Sequence, residues 1–139
     1  LVDEAGLGHA IEVDSSGTSG YHVGDAPDPR SRKEAARRGI SLAGMASRRF
    51  APEDFKTFTH NVAVDDYNLR ILRQQAPDEA ARATLSLLRD HDPVGPRGQD
   101  VPDPYYGGAN GFPEVYDIVE GACRGLLESL RLSHDLRPE

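Results

Sequence analysis

Residues 101–112 read VPDPYYGGANGF. Asp103 is followed at once by a proline, then by two adjacent tyrosines, Tyr105 and Tyr106. Proline restricts the residue before it to extended backbone, which helps to hold the Asp103 carboxyl in place. A carboxyl group whose pKa is raised by partial burial can give a proton to a departing oxygen. Tyrosine rings can stack on an aromatic substrate by offset or edge contacts. A proton donor needs a nucleophile to work with, and the sequence offers no obvious one. The single cysteine, Cys123, falls on the apolar face of a helical pattern, as a small core residue would. One cysteine excludes an internal disulfide and a cysteine-based metal cage. The five histidines, at 9, 22, 60, 91 and 134, have no metal-ligand spacing, so no metal is expected.

The elements that must position Asp103 can be read from the flanking patterns. HAIEVDSSG alternates Ile11 and Val13 before a Ser/Gly loop, which predicts a short strand over 10–14. Asp28 as N-cap, Pro29 at the first helical position and Gly39 as a stop predict a helix. PEDFKTF (52–58) predicts a helical turn or two, NVAVD (61–65) a buried strand, and DYNLRILRQQAP a helix ending before Pro77. ATLSLL (83–88) is a third strand candidate, with helix as the alternative, and 90–111 is loop. From Pro113 a long helix places Val115, Val119, Ala122, Cys123, Leu126 and Leu130 on one face. Strands alternating with helices predict an α/β fold with a parallel sheet. Ligands in such folds bind at the carboxyl ends of strands. The loop after Val13, Asp65 after the second strand and Asp103 after the third should therefore meet at one edge.

With 139 residues, the chain has the length of one domain with one core, over 1–139, and 37% hydrophobic residues without tryptophan make that core modest. No apolar run approaches the roughly 20 residues of a membrane span. A net charge of −7 argues against nucleic acid as the main partner. One cysteine makes a reducing cytoplasm the default location. LVDEAG reads as the end of a helix stopped by Gly6, which leads to the expectation that the sequence begins inside a helix.

DSSGTSGYHVGDAPDPRS, PEDF, VDDYNLR and the DVPDPYYGG…GF…VYD…AC-x-GLL segment together resemble low-molecular-weight protein tyrosine phosphatases. The likeness runs through nearly the whole chain in order, and 100–127 is its most specific part. It implies a three-layer α/β sandwich around a short, four-stranded parallel sheet. It implies a phosphotyrosine-bearing protein or aryl phosphate as substrate and no cofactor. Asp103 would be the general acid that protonates the leaving oxygen. Tyr105 and Tyr106, with Tyr21 opposite, would grip the phosphotyrosine ring. Ser15 would support the phosphate loop by hydrogen bonding, and Asp65 would sit beside that loop.

The family's phosphate loop has the form C-x-x-x-x-x-R, follows its first strand and supplies the attacking thiolate. No such segment occurs here: six residues after Cys123 stands Ser129. The resemblance thus implies a central strand and a nucleophile loop missing from residues 1–139, between the strands at 10–14 and 61–65. On that expectation the chain alone is inactive. The competing reading is a non-catalytic phosphatase-like binding module. Thr59-His60-Asn61 puts polar residues where the family strand is apolar, and Met45 and Ser47-Arg48-Arg49 depart from the family pattern upstream of PEDF.

Overall fold

A computed structural model of the chain describes residues 1–20, 23–104 and 111–139. Its centre is a parallel strand pair. Strand β1 (Asn61–Ala63) lies beside β2 (Leu85–Leu87), with Asn61 opposite Leu85 and Ala63 opposite Leu87. Parallel strands need a crossover, and helices α3 (Asp66–Gln75) and α4 (Glu79–Arg82) supply it. Ala76 is extended, as the residue before Pro77 must be, so α3 ends there. The sequence reading did not anticipate α4. Its signal was Asp78, whose carboxylate accepts from the Ala81 N–H as an N-cap.

The other expected helices form. Helix α1 (Pro29–Arg37) starts at Asp28, whose carboxylate accepts from the Arg30 N–H, and the chain turns away at Gly39 with φ +78°. Helix α2 (Asp54–Thr57) is one turn, within the turn or two expected from PEDFKTF. Helix α5 (Gly111–Ser133) begins two residues before Pro113. Residues 2–6 form a turn: Ala5 N–H bonds Leu1 O, Leu7 N–H bonds Val2 O, and Gly6 carries φ +71°. That left-handed glycine closes the turn.

Phe50, Phe55, Ala63, Leu69, Leu72, Ala76, Ala81 and Leu87 form the main core, and the two phenylalanine rings meet edge-on at 5.1 Å. Many of these side chains are small, as the composition implied. Helix α5 packs on a 3-10 turn, Leu88–His91, with no space between them: a Cβ at Gly125 would overlap the His91 carbonyl. On its other flank α5 meets α1, where Arg38 pairs with Asp117 at 2.9 Å and the Tyr116 hydroxyl donates to Ser31 O at 3.0 Å. The polar start of β1 is accommodated by pairing. Asn61 is buried, and its amide donates to Thr84 Oγ1 at 3.0 Å.

One expected strand does not form among the described residues. Residues 10–14 carry no ladder, and the only pairing nearby is an isolated bridge between Gly17 and Arg49. Val13 is 74% exposed. Alternation marks which side chains would face inward, but a strand also needs a neighbour to take its backbone groups.

Candidate functional site

The carboxyl end of β1 gathers the segments singled out in the sequence. Asp65 lies just beyond the strand and caps α3: its Oδ1 accepts from the Asn68 backbone N–H and from Asn68 Nδ2, both at 2.8 Å. The free oxygen of that amide faces the Ser/Gly loop. Thr18 Oγ1 donates to Asn68 Oδ1 at 2.6 Å. Asn68 therefore ties the loop after Val13 to the end of β1.

The Asp103 segment reaches the same end. Val101 N–H donates to Val64 O at 2.8 Å, and Asp66 N–H donates to Asp100 Oδ1 at 2.8 Å. Arg89 Nη1 holds the Asp100 carbonyl at 2.9 Å. Two residues beyond this anchor, Asp103 is exposed to solvent. The Pro104 carbonyl lies 2.5 Å from where a Cβ would stand on Gly111, so only glycine lets the start of α5 approach it this closely. Tyr105 and Tyr106, like Tyr21, fall outside the described residues.

The Ser/Gly loop is held from below by a second set of bonds. Gly17 N–H donates to Arg48 O at 2.9 Å, and Phe50 N–H donates to Gly17 O at 2.8 Å. Arg48 bridges Asp14 and Asp54, each at 3.0 Å. Burial pushes the Asp54 carboxyl up, but the Arg48 hydrogen bond and the Ala51 N–H outweigh it and hold it below the ordinary range. Ser15 is exposed, and its N–H donates to Asp14 Oδ1 at 2.8 Å. An open groove of about 680 Å³ runs between this segment and β1, lined by Ile11, Val13, Ser15, Val62, Val64 and Asn68 among others.

Cys123 is elsewhere, half-buried in α5, and burial pushes its thiol up. A nucleophilic cysteine needs the opposite shift. Among the described residues no group of three or more metal-ligating side chains is assembled, and no helix is long and apolar enough to cross a membrane.

Residues 1–135 match the family described as low molecular weight phosphotyrosine protein phosphatase. The chain belongs to this family. It is 46% identical over 131 residues to a low molecular weight protein-tyrosine-phosphatase of Streptomyces coelicolor, covering 94% of this chain and 79% of the relative. It is 35% identical over 129 residues to the human phosphotyrosine protein phosphatase, covering 92% and 80%. Among solved structures, a protein tyrosine phosphatase from Entamoeba histolytica with Hepes in its active site superposes with a TM-score of 0.85 at 34% identity, covering 96% of this chain and 83% of that one. YfkJ from Bacillus subtilis gives 0.86 at 32%, covering 95% and 80%. The expected phosphatase fold is thus shown.

Within this phosphatase frame the Asp65 end of β1 is joined to both other segments read from the sequence. Sequence reasoning missed Asn68, Thr18 and Arg48. Asp65-x-x-Asn68 carries a recognisable N-cap signal. Nothing in one sequence pairs Thr18 with a residue 50 positions away.

Proposed function

We propose that this chain is the body of a protein tyrosine phosphatase that hydrolyses phosphotyrosine monoesters. Asp103 acts as the general acid, Tyr21, Tyr105 and Tyr106 hold the ring, and Ser15 and Asp65 support the phosphate loop. The Val101–Val64 hydrogen bond carries this reading, because it anchors the acid's segment at the strand end where the Asp65–Asn68–Thr18 chain also lies. In the family's chemistry a thiolate attacks phosphorus, and backbone N–H groups and an arginine cradle the equatorial oxygens. The acid protonates the leaving phenolate, and water then releases phosphate from the cysteinyl-phosphate. Residues 1–139 contain no C-x-x-x-x-x-R, so they supply the acid without the nucleophile. Both walls of the groove between residues 10–18 and β1 carry apolar side chains, Ile11 and Val13 on one and Val62 and Val64 on the other, which suits an additional strand leading into such a loop.

The test is aryl phosphate hydrolysis by residues 1–139, alone and with a peptide holding an apolar strand followed by C-x-x-x-x-x-R. No turnover alone and turnover with the peptide are expected. Turnover by the chain alone that Asp103→Asn abolishes would overturn the division of labour. A second reading, a phosphatase-like binding module, is favoured by one observation: the only thiol in the sequence is half-buried and pushed away from the thiolate form. Phosphotyrosine binding with no turnover in any peptide mixture would favour it. A cytoplasmic location goes with either reading.

A further inference from the structure

The amino end of β1, opposite the Asp65 end, carries a histidine pair. His60 immediately precedes β1, and His134 immediately follows α5. Their Nε2 atoms are 3.0 Å apart, with the rings nearly perpendicular at 85° and their centroids at 5.3 Å. As a neutral pair, one ring keeps its proton on Nε2 and donates to the bare Nε2 of the other. A second proton would place two N–H groups against each other. A divalent ion replaces the shared proton without that conflict. The donor ring moves its proton to Nδ1, and both Nε2 lone pairs then point at the ion with no net proton released.

The spacing fits. Two nitrogens bound at about 2.0–2.1 Å to one tetrahedral ion stand about 3.3 Å apart, so the pair need open only slightly. Both rings are solvent-exposed, which gives an ion access and leaves room for water in the remaining positions. His134 also follows the carboxyl end of a 23-residue helix, where the helix dipole favours positive charge.

We propose that His60 and His134 form a two-histidine site for a nitrogen-preferring divalent transition-metal ion, in the same groove as Ser15 and Asn68 but at the end of β1 opposite Asp65. The ion would pin the end of α5 to the start of β1, two elements 74 residues apart. Among the described residues no further acidic, histidine or cysteine side chain completes a larger cluster, so the site is an open bidentate one and copper should bind more tightly than zinc.

Equilibrium dialysis of EDTA-stripped protein against Zn2+ near neutral pH should show one bound equivalent. His60→Gln and His134→Gln should each weaken it by about tenfold or more, since one nitrogen donor remains. His9→Gln and His91→Gln should leave it unchanged. With one equivalent of Cu2+, frozen-solution electron paramagnetic resonance of the unmodified protein should show coupling to two imidazole nitrogens, which needs no variant to fold. Zinc binding that survives both His60→Gln and His134→Gln, equal loss in His91→Gln, or a copper spectrum with fewer than two nitrogens would overturn the site. So would the absence of saturable binding.

Discussion

A proton on Asp103 matters only when the oxygen that leaves is basic. In a form of the protein that carries the phosphate loop, Asp103→Asn should slow hydrolysis of phosphotyrosine by about 10²–10⁴-fold. Esters of acidic phenols, which leave without help, should slow far less. Rates measured across a series of aryl phosphates check this, and equal slowing of all of them would remove Asp103 from the role. Glu34 gives a prediction of a different kind. Hydrogen bonds first from Arg37 and then from Arg38 outweigh burial and hold its carboxyl down at about 2. A carboxyl depressed in the folded state stabilises it fully above the ordinary carboxyl range and loses that contribution as pH falls toward the folded value. Glu34→Gln should therefore be less stable than the parent at neutral pH. The gap should close as pH falls from about 4.5 to about 2. Denaturant midpoints of both proteins across that window measure it.

Helix α5 is held at contact distance by two glycines. The more demanding is Gly125, against the His91 carbonyl, where backbone rather than a flexible side chain blocks the space. Gly125→Ala gains helix propensity on its own account, by about 1 kcal/mol. The overlap should win, because overpacking costs about 1–3 kcal/mol and a backbone carbonyl cannot swing aside. A lowered melting temperature is the expected result, and an unchanged or raised one would mean that α5 slides on the 3-10 turn at little cost. Strand β1 depends on a polar contact instead. Thr84→Val leaves the buried Asn61 amide without its Thr84 acceptor, and about 1–3 kcal/mol should be lost. Asn61→Val combined with Thr84→Val removes both partners and should recover part of that loss in denaturant titrations.

Across the whole molecule, the weak part is the groove beside β1. Val64 is 44% exposed and Val13 74% exposed on its two sides, and residues 10–14 have no ladder. Exposed strand edges invite pairing with other chains. Residues 1–139 alone are therefore expected to unfold over a broad temperature range and to aggregate. A peptide with an alternating apolar strand should sharpen the transition and raise its midpoint. A sharp unfolding of the monomer, unmoved by the peptide, would show that the groove is self-sufficient.

Local chemistry made most of the elements readable. Asp28-Pro29 and Asp65-Asp66 mark helix starts because a side-chain oxygen must meet the first free N–H groups. Asn61–Asp65 reads as a buried strand because Val62, Ala63 and Val64 make a short apolar run. The Asp103 segment was legible as a candidate acid through its proline, tyrosines and glycines, all of which act over a few residues. What the sequence by itself could not determine was pairing at a distance. The expected strand over 10–14 has the alternation but no ladder partner. Thr18 with Asn68, Val101 with Val64 and His60 with His134 meet only because the crossover and α5 bring them together. Those contacts depend on the path of the folded chain, and no spacing within a single segment encodes them.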